Sequence, residues 1–396
     1  MARSGKEYGI ALALICIAPV IVTLGVFIYL AKNPRQAHQS AKDVGSILRM
    51  EPQPRWTSAA NRSRQTVRAA VLEQNLPGVS VAVGVGSQIV WAEGFGVADL
   101  ATRASVTPDT RFRIGHVSKA LTSAGVGLLL EREQLRLDRD IQEYVPSYPK
   151  KIWPVSLRQL MAHTAGIIHY RDTEWGDKPS VHCERADEGI ATFASDPLQF
   201  EPETKYQYST YGWVLVSAAI EHVAGVPFTE FMRTQVFAPL GMSSTTADAP
   251  KTPLADRATS YFVDNFGQQV TTGVDYSCFA GGGAFLSTPS DLVRFGLATM
   301  GGRFLKRDTV TKLQTRQTLR NGQNTQYGLG WMLEDIQLNK TAEPELLASH
   351  ASRTIEGAST SFLTFPGRGL VVAVSANVSF ADMRTLALAI AQAFSA

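Results

Sequence analysis

The sequence predicts an α+β body, with an antiparallel sheet assembled from both ends of the chain, flanking helices and an inserted, mostly helical lobe. Three observations carry this expectation. A Val-rich hairpin pattern lies near the start of the body, a second hairpin of the same kind lies near the C terminus, and the chain between them follows helical periodicity.

In chain order, residues 1–8 read as a short tail, and Gly9 to Ala31 ("GIALALICIAPVIVTLGVFIYLA") form a run of 23 residues without a charge. That is about the length needed to cross a hydrocarbon core of roughly 30 Å, so the run predicts a transmembrane anchor. A cleavable signal peptide is the competing reading, but its apolar region is typically shorter and ends in small residues, which "YLAKNP" does not supply. Flanking charge leaves the orientation open: Arg3 and Lys6 precede the run, and Lys32, Arg35 and Lys42 follow it. Residues 32–55 are polar with scattered prolines and read as a linker. The folded domain is expected over 56–396.

Within that domain a helix is expected near Ala59 to Gln74. "GVSVAVGVGSQIVWAEGFGVADL" then gives two Val-rich runs around a Gly-Ser turn, and "STSFLTFPGRGLVVAVSANV" repeats the pattern with Pro366 and Gly367 in the turn. Helical segments between them begin at His116, at "SLRQLMAHT", "YGWVLVSAAIEHVAG", "FTEFMRTQVFAPLG" and "TPSDLVRFGLATM", the last with Ser-Asp punctuation suited to a helix start. Phe380 to Phe394 reads as a closing helix.

Composition excludes some functions. Charged residues make up 18% of the chain and the net charge is +3. No run of Lys or Arg exceeds two, so nucleic acid is not an expected partner. His163, His169, His182 and Cys183 invite a zinc reading, but their spacing fits no common ligand set, and no metal or cofactor is expected. Cys183 and Cys278 are open to two readings, a disulfide in an oxidising compartment or ordinary buried thiols.

Three places carry candidate chemistry. His116 and Lys119 are three apart at a helix start, so they share a face and should meet. Tyr208 and Thr210 stand just ahead of a long apolar helix. His350, with Ala351 and Ser352, precedes an expected strand and is polar in an apolar neighbourhood.

Taken with "TRFRIGHVSKALTS", "SLRQLMAHTAGIIHY", "FEPETKYQYSTYGWVL", "PLGMSST", "AGGGAFLSTPSDLVRF" and "YGLGWM", these places resemble the serine β-lactamase and penicillin-binding-protein superfamily. The resemblance is to its class C-like and esterase-like branch, which includes a mitochondrial β-lactamase-like protease. It implies the β-lactamase/transpeptidase-like fold, a body outside the cytoplasm, and a peptide, ester or cell-wall-like small molecule as ligand. The first motif of that family, S-x-x-K, puts a serine nucleophile one turn before a lysine that helps remove its proton. Lys119 falls on the lysine and His116 on the serine. The second motif falls on Tyr208, as base or proton relay, and Thr210. The third, K/H-x-G on an edge strand, falls on His350, Ala351 and Ser352, with serine in place of glycine. Ser118 is the nearest spare hydroxyl, rotated about 200° from His116 around the helix. Ser147 to Lys150 also spells S-x-x-K, but Pro149 prevents the helix that the motif needs. The resemblance therefore implies a family member that has lost ordinary acyl-enzyme catalysis and keeps a ligand site. The alternative is a hydrolase or peptidase working by an altered mechanism.

Overall fold

A computed structural model describes residues 37–395, apart from 39, 41, 50, 170–181, 250–253, 265–266, 272–274, 340–342 and 355–356. The main sheet has seven strands: β1 Ser46–Leu48, β2 Gly78–Val85, β3 Gln88–Gly96, β4 Met332–Ile336, β5 Glu345–Thr354, β6 Ala358–Phe365 and β7 Leu370–Ala376. Their order across the sheet is β1-β3-β2-β7-β6-β5-β4, antiparallel throughout. The two hairpins expected from sequence meet at its centre, where β2 pairs with β7 from Val79↔Ala376 to Val85↔Leu370.

Both faces of this sheet are buried, and side chains alternate between them with period two. Val79, Val81 and Val83 share one core with Val372 and Val374, under helices α1 (Pro54–Glu73) and α5 (Met383–Phe394). Ala82, Val371 and Ala373 face the other core. That core is shared with α2 (Ser118–Glu131), α3 (Tyr211–Ala224), α4 (Pro289–Met300) and the rest of the helical lobe. The small residues of β2 admit α4: a Cβ on Gly84 would lie 2.5 Å from Val293 Cγ1.

Several boundaries differ from the sequence-based expectation. Part of the expected linker belongs to the fold: Val44 is buried in the core under α1, and β1 pairs with β3 in the register Ser46↔Phe95 to Leu48↔Glu93. Three residues carry too little pattern to announce a strand; the β3 edge supplies the partner. Helix α1 starts at Pro54, where the fixed φ of proline suits a first helical position. His116 lies in a 3-10 turn, Gly115–Val117, and the α-helix starts only at Ser118. His350 lies inside β5 rather than ahead of it. The anchor expected at 9–31 lies outside the described residues. Among those described, no single helix is long and apolar enough to cross a membrane.

Cys183 and Cys278 are joined in a disulfide, closing a sequence separation of 95. The bond fastens the segment after residue 181 to the segment Ser277–Gly283, which reaches the candidate site.

Gly94 in β3 shows how tightly the sheet is crossed. A Cβ there would sit 2.5–2.9 Å from backbone atoms of Val106 and Thr107, which cannot move aside as a side-chain tip can. Gly94→Ala should therefore destabilise the protein by about 1–3 kcal/mol. Gly45→Ala, where nothing lies within 4 Å, should change it by less than about 0.5 kcal/mol. Urea unfolding of the two variants checks this.

Candidate functional site

The site forms where the start of α2, the start of α3, the segment Ala280–Gly283 and the end of β5 converge. Lys119, in the first turn of α2, is fully buried. Its Nζ donates to the Gly282 carbonyl at 3.0 Å and to Thr210 Oγ1 at 3.2 Å. One turn on, Thr122 Oγ1 lies 2.9 Å from the Gly281 carbonyl. Glycine is needed here because the segment passes so close to α3: a Cβ on Gly281 would lie 2.6 Å from the Trp213 carbonyl oxygen, and one on Gly282 2.5 Å from Thr210 Cγ2. Burial without a carboxylate partner lowers the Lys119 pKa well below that of an ordinary lysine.

His116 and Lys119 share the Thr210 hydroxyl. His116 Nε2 lies 3.4 Å from Thr210 Oγ1, and its ring centroid lies 5.6 Å from that of Tyr208. Burial, then the Lys119 charge, pushes the His116 pKa well down, so the ring is neutral. Tyr208 lies under Lys119, with Nζ 4.8 Å from its ring centroid. Ser209 rather than Thr210 caps α3, its Oγ accepting from the Gly212 N–H at 3.2 Å. Ser118 is buried, and its Oγ lacks a hydrogen-bond partner.

His350 completes the group. Strand β4 pairs with β5 only as far as Ser349↔Met332, so the half of β5 from His350 onward is hydrogen-bonded on its β6 side alone. β5 as a whole is an inner strand of the sheet. His350 Nε2 lies 3.0 Å from Tyr327 Oη, and its Nδ1 lies 3.1 Å from the Ala351 carbonyl. That carbonyl fixes the proton on Nδ1, so Tyr327 donates to Nε2. Burial and the Lys119 charge lower the His350 pKa to about 3. Ser352, two residues on and so on the same face of the strand, is buried, and its Oγ has no hydrogen-bond partner.

Two histidines first weighed as metal ligands have a different part. His163 Nδ1 accepts the Ser209 N–H at 3.0 Å and His169 Nδ1 accepts the Thr210 N–H at 3.3 Å. They fix the backbone just after Tyr208. His163 also packs its ring 4.2 Å from Tyr208 and 4.6 Å from Tyr327, centroid to centroid. Its Nε2 is buried without a hydrogen-bond partner. Desolvation lowers both histidines, His169 to about 4. Tyr327 and these backbone contacts were not singled out from the sequence. The only signal was "YGLGWM", where a tyrosine before a glycine turn reads as packing.

The assembled site is a set of neutral rings and hydroxyls around one buried amine. It can hold a polar ligand by hydrogen bonds from several directions. A proton can pass between Lys119, Thr210 and His116 over distances of 3.2 and 3.4 Å.

Comparison with known proteins agrees with this geometry. The family model described as Beta-lactamase matches residues 63–394. The mitochondrial serine beta-lactamase-like protein LACTB of Bos taurus is 26% identical, over 86% of this chain and 80% of its own length. Penicillin-binding protein 4* of Bacillus subtilis is 26% identical, over 68% of this chain and 63% of its own. Among solved structures, the D-amino acid amidase of Ochrobactrum anthropi SV3 superposes with a TM-score of 0.72 at 25% identity, covering 85% of this chain and 98% of that one. The penicillin-binding protein homologue of Pyrococcus abyssi gives 0.70 at 23% identity, covering 83% and 75%. The seven-stranded sheet closed by both chain ends, the buried lysine at the start of α2 and a match over most of the chain lead to one conclusion: the chain belongs to the beta-lactamase family.

Proposed function

We propose that this chain is a membrane-anchored member of the family whose site binds an amide- or ester-bearing, peptide-like or cell-wall-like molecule without ordinary acyl-enzyme turnover. One observation carries the reading: the side chain that shares the Thr210 hydroxyl with Lys119 is the His116 imidazole. A serine there would have two side-chain heavy atoms; imidazole has six and fills space that an acyl group must enter. Ser118 offers no substitute, since its buried Oγ makes no hydrogen bond to Lys119, Thr210 or His116. Ser352 adds bulk where the family pattern has glycine beside the substrate. The ligand class is carried over from relatives, among them the amidase solved with L-phenylalanine amide. Residues 9–31 supply the anchor, with the body outside the cytoplasm.

A second reading has one observation in its favour. His116 is held neutral by burial and by Lys119, and neutral imidazole is the nucleophilic form. In that reading the His116 Nε2 lone pair attacks the carbonyl, and the C–O or C–N bond to the alkoxy or amino group breaks. That group leaves as alcohol or amine with the proton given up from Nδ1, and water then cleaves the acyl-imidazole to a carboxylic acid and free His116.

His116→Ser separates the two. Removing a nucleophile from an otherwise intact site costs about a millionfold in rate, so restoring one should raise p-nitrophenyl ester hydrolysis at least about tenfold over the native protein even if Ser352 limits it. The native protein should sit at buffer background and form no lasting adduct with a fluorescent penicillin, read by mass spectrometry. Native turnover that His116→Ser abolishes, with an unchanged circular dichroism spectrum, would establish the second reading.

The neutral histidines also set a pH dependence. His350 titrates at about 3 and His169 at about 4 in the folded chain, against an ordinary value of 6.5. The unfolded chain therefore takes up protons first, and stability present above about pH 6.5 is lost as pH falls toward 3. His350→Gln should flatten part of that slope, read as the urea midpoint at a series of pH values.

The anchor is tested by alkaline carbonate extraction of the full chain from membranes. It should stay with the pellet, and protease added to sealed spheroplasts should digest the body.

A further inference from the structure

The anchor reading above has a consequence for the surface of the body. Ala37 is held to it by its N–H, which donates to Asn75 Oδ1 at 2.7 Å, and His38 Nε2 lies 2.8 Å from the Pro77 carbonyl. From Ala31, the last residue of the apolar run, to Ala37 the chain can span at most about 20 Å. The lipid headgroup layer takes up about 5–8 Å of that. A body of this size has a radius of gyration of about 21 Å, so the chain cannot hold it clear of the bilayer in every orientation. The face around Ala37 must turn toward the lipid.

Exposed apolar side chains stand on elements hydrogen-bonded to this exit point. Asn75, which receives the Ala37 N–H, offers its carbonyl to Gln268 Nε2 at 2.8 Å. Gln268 belongs to a hairpin of Tyr261–Asp264 with Gly267–Val270, in the register Tyr261↔Val270 to Asp264↔Gly267. Val263 and Val270 of that hairpin are 50% and 61% exposed. The same hairpin receives the Ser379 N–H at the Tyr261 carbonyl, 2.9 Å, which brings in Phe380 at 56% exposure. Arg103, exposed where the chain leaves the body, donates to the Ala37 carbonyl at 3.4 Å and adds a cation suited to lipid phosphate.

We propose that Val263, Val270 and Phe380 form a membrane-docking face that rests in the headgroup–acyl boundary of the bilayer spanned by residues 9–31. The inference rests on the anchor reading and adds to it a fixed orientation of the body. Three apolar side chains beside an arginine, at the point where the chain leaves for the membrane, are what an interfacial contact requires.

The test uses the full chain with Cys16→Ser, leaving Cys183 and Cys278 in their disulfide, and a single added thiol from Val270→Cys or, as control, Ile152→Cys in the helical lobe, where Ile152 is 80% exposed. Each is labelled with a polarity-sensitive dye and reconstituted into phosphatidylcholine–phosphatidylglycerol vesicles carrying headgroup-spin-labelled lipid. A side chain docked 5–10 Å into the interface should be quenched at least about twofold more at position 270 than at 152, with blue-shifted emission. Phe380→Asn, which suits the left-handed φ of 58° at that residue, should reduce the quenching at 270 with an unchanged circular dichroism spectrum. Protein that stays with the vesicles after carbonate washing but shows equal quenching at both positions overturns the docking face and leaves the anchor standing. Protein that washes off overturns the anchor, and the docking face with it. A blue shift that grows with protein concentration and shows no lipid quenching assigns the face to a second copy and overturns the proposal.

Discussion

A buried amine with no carboxylate beside it is an expensive thing to build, and the arrangement around Lys119 follows from that cost. Nζ is fully removed from water and has two oxygens in place of solvent, the Gly282 carbonyl and the Thr210 hydroxyl. To deliver those oxygens, a glycine-rich turn must pass between α2 and α3 at distances that no side chain tolerates, and Thr210 must stand at the mouth of α3. The disulfide from Cys278 to Cys183 enters the same turn from its other end. Losing either oxygen would leave a desolvated donor unsatisfied, at a cost of about 1–3 kcal/mol.

The same amine organises the rings. Its charge helps depress His116, His163, His169 and His350, while burial does most of the work. Held neutral, each imidazole has one nitrogen free to accept, and two of them spend it on backbone N–H groups at Ser209 and Thr210. The position of Tyr208 is thus fixed by histidines on a different segment of the chain. The scaffold is that of the beta-lactamase family, and the His116 imidazole stands beside the buried amine.

Much of this could be read in advance, for reasons that differ by element. The central hairpins announce themselves because alternating Val and small residues serve two cores at once, a pattern that survives in the letters. Lys119, Tyr208 and His350 were singled out because short motifs preserve spacing within one element, and the fold brings the three into one cluster. What failed was whatever depends on a partner distant in sequence. Strand β1 exists because β3 offers an edge. The pairing of Cys183 with Cys278 is decided by the fold across 95 residues. Tyr327 matters because His350, in a strand further on, needs a donor. The part His163 plays was not legible, because the sequence shows a side chain and hides the Ser209 backbone N–H that occupies its Nδ1.

The pairing of β2 with β7 bears on how the molecule comes into being. Val79 lies opposite Ala376, so the two middle strands of the sheet are separated by almost the whole body. A ribosome delivers the first hairpin long before its central neighbour exists, and loop closure over such a span makes the pairing slow. Until the last strand emerges, one edge of β2 has no strand to pair with. Through that interval the nascent chain carries an unpaired central strand, the surface that a protein guarding nascent chains would cover first.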